Sequence, residues 1–484
     1  MIPSIAITKS DGNTGVVRPS ATGVDVLIGP SSTGTQDTPT LTYKTNTAVS
    51  TFGYGPLTEF AAYQLSVGGK PRILIKSAAS TAATNGTVTH SGAGTSVVTA
   101  TGTPYDDFDV VFKFTTGGTI GVAGIVYQVS LDGGVTYGGS TSLGVAVTAS
   151  VANTGIAIAL AAGTILANQT ESFSTVGPRA TNADLVTALE ALRLSNLSYE
   201  GIQIVTPADA TMLATLDAWL TAREAEGKFR DFGLNTRART IGTETEAQFK
   251  TAMDTAFGAS SSIRGIVCAD FCALVSPIRG INMKRPTLCA VGARKSAVDM
   301  SRDLAAVADG PLSGVTLADA QGNPKWHDET IYPGLDDSRF TSLRSIDQKQ
   351  GAYITNPLVI SASGSDYVYL QHVRCMNRAC ELAFQLLTEA LSDGVLKQTN
   401  SDGSVTIKEE IAQRIESGIN SRLRAELVTP QRVTDAQIVI SRTDDLSSNA
   451  GATITGELQL SPLAYLKKFN INAKFVKTIT AAAT

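Results

Sequence analysis

The chain has 484 residues, 43% of them hydrophobic and only 17% charged, with a formal net charge of −4 at pH 7. That length predicts two to four domains of roughly 100–200 residues each, all large enough to bury a core. The small net charge argues against a protein built around a nucleic-acid or anionic-membrane surface, and the apolar fraction excludes wholesale disorder.

The first residues, Met1-Ile2-Pro3-Ser4, have neither a basic nor an apolar run, so the reading expects no signal peptide. Ile5 and Ile7 suggest a short strand there. Further on, Phe52-Gly53-Tyr54-Gly55-Pro56-Leu57 opens an amphipathic helix through Phe60, Tyr63 and Val67. Gly68-Gly69-Lys70-Pro71 closes it, and Arg72-Ile73-Leu74-Ile75-Lys76 follows as a buried strand.

Composition then shifts. Between residues 85 and 178 the only charged residues are Asp106, Asp107, Asp109, Lys113, Asp132 and Glu171, amid Gly, Thr, Ser, Val and Ala. Val110, Phe112 and Phe114 alternate on one face, as do Ile125, Tyr127, Val129 and Leu131. The second run ends in a turn at Asp132-Gly133-Gly134, because glycine tolerates positive φ. Short strands punctuated by glycine predict a β-sandwich inserted into another domain. The charge-free stretch from 133 to 170 is too polar for a membrane span, and Ile156, Ile158 and Leu160 alternate as in a strand.

From residue 180 strands and helices alternate. Thr181-Asn182 caps a helix with Leu185, Leu189 and Leu192. Gly201 to Pro207 reads as a strand ended by proline. A helix with Met212, Leu216, Trp219 and Leu220 follows, then another from Thr245 to Phe257, then a strand from Arg264 to Cys268. This alternation predicts a parallel sheet covered by helices. Next come two long helices, one with a stripe of Val373, Met376, Cys380, Phe384, Leu387 and Leu391. The other carries a four-residue ladder of Ile407, Ile411, Ile415, Ile419, Leu423 and Leu427. The end is β again: 437–441, 453–460 and 469–478, where Phe469, Ile471, Ala473 and Phe475 share one face.

Catalytic patterns are scarce. The histidines are His90, His327 and His372, and only Trp326-His327-Asp328-Glu329 crowds a base with acids and an aromatic. It lacks a nucleophile signature, and no nucleophile elbow, phosphate loop, dinucleotide or zinc-protease motif occurs. Cys268, Cys272, Cys289, Cys375 and Cys380 have no zinc-like spacing and read as small buried hydrophobes in a reducing compartment. No catalytic residue, metal ligand or cofactor site is therefore expected. Arg279, Lys284, Arg285, Arg294 and Lys295 gather without interleaved aromatics and read as a solvated or partner-facing surface.

The Phe52–Leu57 element with its helix, Gly-Gly turn and strand resembles a recurrent stretch of contractile-tail sheath proteins from phages and related injection systems. Gly456-Glu457-Leu458-Gln459-Leu460-Ser461-Pro462-Leu463-Ala464-Tyr465 and Phe469 to Phe475 are similar to that family's closing strands. Val291-Gly292-Ala293-Arg294 and Gly310-Pro311-Leu312-Ser313-Gly314 are similar to its central loop region. Gln64-Leu65-Ser66-Val67-Gly68-Gly69 departs from the commonest pattern, where an aromatic pair and Asn are usual. The Ser130–Tyr137 strand and turn resemble add-on domains of phage tail proteins.

The resemblance implies an α/β, subtilisin-like sheath core, an inserted all-β sandwich and an α+β C-terminal domain with terminal strand arms. The expected division is an N-terminal arm at 1–20, the first part of the core at 21–84 and an Ig-like sandwich on the outer surface at 85–178. The α/β domain follows at 179–355, the C-terminal domain at 356–468 and a C-terminal arm at 469–484. It implies a non-enzymatic subunit of a phage tail, a tailocin or a related injection system, in which hexameric rings stack around a tail tube and contract to drive it through an envelope. Ile5, Ile7, Phe469, Ile471, Ala473 and Phe475 are the expected subunit-linking strand residues. Expected partners are further copies of the chain, the tube protein, and baseplate and tail terminator proteins, with no nucleic acid and no membrane insertion. Its place would be the virion tail, assembled in the bacterial cytoplasm. The alternative is a decorating or receptor-binding sandwich protein, and a third class is a hydrolase using the α/β domain.

Overall fold

A computed structural model of the chain describes residues 22–318, 325–390, 397–447 and 453–467. They fall into two compact units, one reaching Gln385 and the other starting at Leu386.

The first unit opens with β1 (Asp25–Gly29), a short β2 (Thr40–Thr42), α1 (Thr45–Phe52), α2 (Pro56–Gly68) and β3 (Arg72–Lys76). Pro56 starts α2 where a missing N–H costs nothing, and Gly69 ends it in the left-handed region with φ 64°. The chain then makes a run of strands: β4 (Thr84–Asn85), β5 (Thr89–Ser91), β6 (Val98–Gly102), β7 (Asp109–Thr116), β8 (Gly118–Thr119), β9 (Val126–Ser130), β10 (Thr141–Ser142), β11 (Thr148–Val151), β12 (Ile156–Leu160), β13 (Thr164–Ile165) and β14 (Thr170–Val176). It returns through α3 (Asn182–Arg193), β15 (Gly201–Ile204), α4 (Ala210–Glu224), β16 (Asp231–Asn235), α5 (Glu246–Phe257) and β17 (Gly265–Cys268). The capping boxes at Thr181/Asp184 and Thr245/Gln248 satisfy backbone donors that α3 and α5 would otherwise leave open.

β1, β3, β15, β16 and β17 pair in parallel in the order β17-β16-β15-β1-β3, and β2 adds antiparallel to β3. Numbered along the chain, the parallel strands run 2-1-3-4-5, a doubly wound order. Leu27 and Leu74 face one core with α1 and α2; Val26, Ile28, Ile73 and Ile75 face the other with α3, α4 and α5. Buried on both faces, these strands read as continuous apolar runs.

In the 84–176 region Val110, Phe112 and Phe114 all point into a common core, as do Ile156, Ile158 and Leu160. The order β10-β9-β7-β14-β4 forms one sheet and β11-β12-β6 another. The alternation expected along β9 slips. Ile125 and Tyr127 are buried, but so is Ser130, while Val129 and Leu131 are only partly covered. The Ser130 hydroxyl turns inward because it binds Asp132 Oδ1 at 2.6 Å and accepts the Gly134 amide at 2.8 Å, knotting the turn.

After β17 come β18 (Phe271–Val275), β19 (Asn282–Pro286), α6 (Thr287–Ala297), β20 (Val315–Thr316), β21 (Leu343–Ile346), β22 (Lys349–Ile354) and α7 (Leu370–Ala390). The expected α7 stripe is rotated. Met376 and Cys380 are half-buried and Phe384 is 41% exposed, while Arg374 and Arg378 are buried. Ion pairing to the body sets this face, which hydrophobic spacing alone cannot show.

The second unit has a hairpin of β23 (Lys397–Thr399) and β24 (Val405–Ile407), helix α8 (Glu409–Leu423) with a π-turn at Arg424–Val428, and a hairpin of β25 (Asp435–Ile440) and β26 (Gly456–Ser461). The ladder Ile419, Leu423 and Leu427 is buried as its spacing demands, but Ile407 sits in β24, not in the helix. Asn420 and Glu416 on α8 accept the amides of Ile438 and Ile440 at 2.7 Å each, fastening the hairpin to the helix. Among the described residues β26 pairs only with β25.

Candidate functional site: the two ends of the parallel sheet

In a doubly wound sheet, ligands bind outside the carboxyl ends of the strands, where the order reverses. Here that point lies between β1 and β15. It is filled: a Cβ on Gly29 would lie 2.8 Å from the Val205 Cβ. The crevice beside it, bounded by Pro56, Phe60, Val205, Thr206 and Arg285, has a volume of about 20 Å³, room for one water.

The plug comes from the 84–176 region. Asp106 is buried at the crevice, and its carboxylate takes two hydrogen bonds from Arg285 on β19, at 2.7 and 2.6 Å. Asp107 next to it binds Arg179 at 2.9 Å and the Gly177 amide at 2.7 Å. Glu59, in the first turn of α2, holds Ser276 at 2.6 Å and Arg279 at 3.1 Å. Arg279 stacks between Tyr54 and Phe108, 5.3 and 5.1 Å from their ring centres, and donates to the Asn153 carbonyl at 2.7 Å. The Phe52–Leu57 element therefore has a mechanical role. Its Tyr54 helps seat Arg279, and Gly55, at φ 126°, passes under the Tyr105 carbonyl, 3.1 Å from where a Cβ would be.

His327 lies near this end and is 5% exposed. Its Nδ1 and Nε2 each sit 2.8 Å from a carboxylate, those of Glu246 and Glu329. Burial alone would lower its pKa, but the two acids overcome this and push it up to about 9. A histidine held charged between two acids is a poor general base at neutral pH. A wider cleft of about 840 Å³ beside the plug is lined by Asp109, Asp132, Lys284, Lys325 and Trp326 and, among the described residues, by no histidine or cysteine. Among the described residues no group of three or more His, Cys, Asp or Glu could hold a metal ion. His90 pairs with Glu171 at 2.7 Å on the sheet of β14. Cys268, Cys272, Cys289 and Cys375 are buried, and burial pushes the half-buried Cys380 thiol up to about 11.

The amino end of the sheet carries the opposite arrangement. Asp25, Arg72, Gly201 and Asp231 are register mates in one row across β3, β1, β15 and β16. Lys295 of α6 places its Nζ 2.8 Å from Asp25 and 2.5 Å from Asp231. Gln203 donates to Asp25 at 2.6 Å, Gln64 to Gln203 at 2.7 Å, and Arg72 to Gln64 at 2.8 Å. Gly201 leaves room for this cluster, since a Cβ there would displace Asp231 Oδ1 and Lys295 Nζ. Burial raises the Asp231 pKa to about 7, opposed by Lys295 and helped by the like charges of Asp25 and Glu200. At the row's margin Glu200 pairs with Arg374. Burial pushes its carboxyl up, but Arg374 and Lys295 outweigh this and hold it at about 2.

These findings correct the reading of the basic cluster as surface. Arg285 and Lys295 are 3% and 4% exposed, and Arg279 is paired with a buried glutamate. A signal for the network does exist in the sequence. Asp25, Arg72 and Asp231 each open a strand whose next residues are apolar or glycine and buried, a position where an unpaired charge would be costly. The expected linking residues Ile5, Ile7, Phe469, Ile471, Ala473 and Phe475 lie outside the described residues.

The fold is similar to that of contractile sheath proteins. The contracted sheath of an extracellular contractile injection system, PVC, is similar at 11% identity and a TM-score of 0.55, over 99% of this chain and 98% of that one. A chain of the anti-feeding prophage (AFP) baseplate structure is similar at 10% identity and a TM-score of 0.52, over 99% of both. A sheath tail protein from Desulfitobacterium hafniense aligns at 14% identity and a TM-score of 0.46, over 95% of this chain and all of that one. The profile described as DUF2586, N-terminal domain, matches residues 2–357, and the chain belongs to that family. No curated protein matches it.

Proposed function

We propose that this chain is the structural subunit of a contractile tail sheath, with a subtilisin-like core at 21–84 and 179–355 and a C-terminal domain at 356–468. The observation that carries the reading is the similarity to the contracted PVC sheath along essentially the whole of both chains. The filled crevice supports it, since the place where a doubly wound enzyme binds its ligand is occupied by the protein itself. In this reading the subunits form hexameric rings that stack around a tail tube and contract to drive the tube through the host envelope for genome ejection. Baseplate and tail terminator proteins bound the assembly at its two ends. It is a component of the virion tail, put together in the bacterial cytoplasm.

Neighbours are joined by exchanged strands from Met1–Lys9 and Phe469–Thr478, with Ile5, Ile7, Phe469, Ile471, Ala473 and Phe475 as the paired residues. The open edge of the β25/β26 hairpin supports this, because a two-stranded sheet gains most from a further strand. A ten-residue extended arm reaches about 33 Å. The Ig-like insertion at 85–178 lies on the outer surface, clear of the tube.

Negative-stain microscopy of the purified full chain tests the reading directly. Hollow tubes or stacked rings are expected, and a particle that never assembles at high concentration counts against it. Removing residues 470–484 is expected to leave a folded protein without tubes. Long tubes from the truncated chain would overturn the arm assignment.

A further inference from the structure

Two parts of the first unit that are far apart in sequence share one largely buried carboxylate, whose side chain is 14% exposed. At Gly23 the chain enters the sheet in the left-handed region, with φ 80°. Its N–H donates to Glu200 Oε2, and its carbonyl accepts from Arg72 Nη1 at 2.9 Å. The Glu200 amide donates to the Val24 carbonyl at 2.7 Å. The other Glu200 oxygen accepts from Arg374 Nε on α7, while Arg374 Nη2 lies 3.3 Å from Oε2. The Arg374 side chain is fully buried, and its Nη1 also reaches the Asp299 carbonyl at 3.4 Å. Two turns further along the same face of α7, Glu381 pairs with Arg230, which stacks 5.0 Å over Tyr199, the neighbour of Glu200.

We infer that Glu200 is a latch: it ties the point where the chain enters the sheet to helix α7, so that neither can loosen without loosening the other. The physical reason is the shared acceptor. Removing Arg374 leaves Glu200 charged, largely buried and without its main partner, a state that drives its carboxylate toward water and away from Gly23. Residues 1–21 precede this point in sequence, and residues 391–484 follow α7. The latch therefore fixes the points from which both terminal segments continue to the amino end of the sheet's central strands, β1 and β15. Its use in a sheath, where pull on one segment is passed to the other through the body, rests on the reading above; the latch itself does not.

Hydrogen exchange on the full chain decides the matter, read on peptides covering 22–29 and 370–382. In Arg374→Met, exchange is expected to speed up at least tenfold in both peptides, with the β7/β14 sheet unchanged. Arg374→Lys, which keeps a cation near Glu200, is expected to restore most of the protection in both. Acceleration confined to 370–382 in Arg374→Met would overturn the latch, because a merely local role for Arg374 predicts that pattern. If Arg374→Met does not fold, Glu200→Gln is read in the same way: joint acceleration supports the latch and acceleration of one peptide alone defeats it. Tube formation by the same variants, seen in negative stain, reports separately on the sheath reading.

Discussion

The two ends of the parallel sheet bury charge for different purposes. At the amino end, Asp25, Asp231 and Lys295 tie strands to a helix within one core, and most of their polar atoms are matched. At the carboxyl end, Asp106–Arg285 and Glu59–Arg279 fasten the 84–176 region and the β18–β19 hairpin over the ligand crevice. The first arrangement stiffens the body. The second converts a potential binding site into a joint, and His327 is held beside it between two carboxylates that favour its charged form. Together they brace the centre of the first unit, and the proposed sheath function places the moving parts at the chain's ends.

The joint is the easiest element to break. Arg285→Met leaves the Asp106 carboxylate buried and unpaired, and is expected to cost about 3–5 kcal/mol in denaturant unfolding. Adding Asp106→Asn should recover a large share of that, because the orphaned charge and not the lost attraction dominates the cost. A double variant as unstable as the single one would show that the pair does more than neutralise itself.

The His327 cluster at the same end gives a pH signature. Its pKa is raised on folding, from 6.5 to about 9, so its contribution is complete below pH 6.5 and is lost as pH rises through 9. The expected loss is roughly 3 kcal/mol between those limits. Chemical denaturation across pH 6–10 should show it, and His327→Gln should flatten that part of the profile. An equal slope in the variant would place the titration elsewhere.

The amino end is probed most gently by Gly201→Ala. The methyl group meets the Asp231 and Lys295 head groups, and overpacking of this kind costs about 1–3 kcal/mol. The stability loss should be smaller than for Arg285→Met, since the triad can shift without losing its partners. A larger loss would mean that the amino end is the stiffer of the two.

Much of the secondary structure was legible because it is local. Thr181 and Thr245 cap the helices that their spacing announces, and Val110, Phe112 and Phe114 face inward as alternation requires. The α8 ladder held from Ile419 to Leu427, while Ile407 was drawn into a hairpin by the Asn400–Gly403 turn. The candidate site was hardly legible. Gln64, at the departure from the usual sheath pattern, proved to be a relay in the amino-end network, linking Arg72 to Gln203. Arg285 and Lys295 looked like solvated charges because a sequence shows a charge but not its partner, here 179 and 270 residues away.

By itself, then, the sequence determined the alternating α/β body, the charge-poor β region and the absence of local catalytic motifs. Those properties follow from periodicity, capping and composition, which act over a few residues. Only the tertiary structure decided that the β region is bolted over the crevice, that α7 turns its arginines inward, and that one glutamate serves two distant segments. These outcomes depend on which charges meet in a low-dielectric interior, where an unmatched partner is too costly to leave alone.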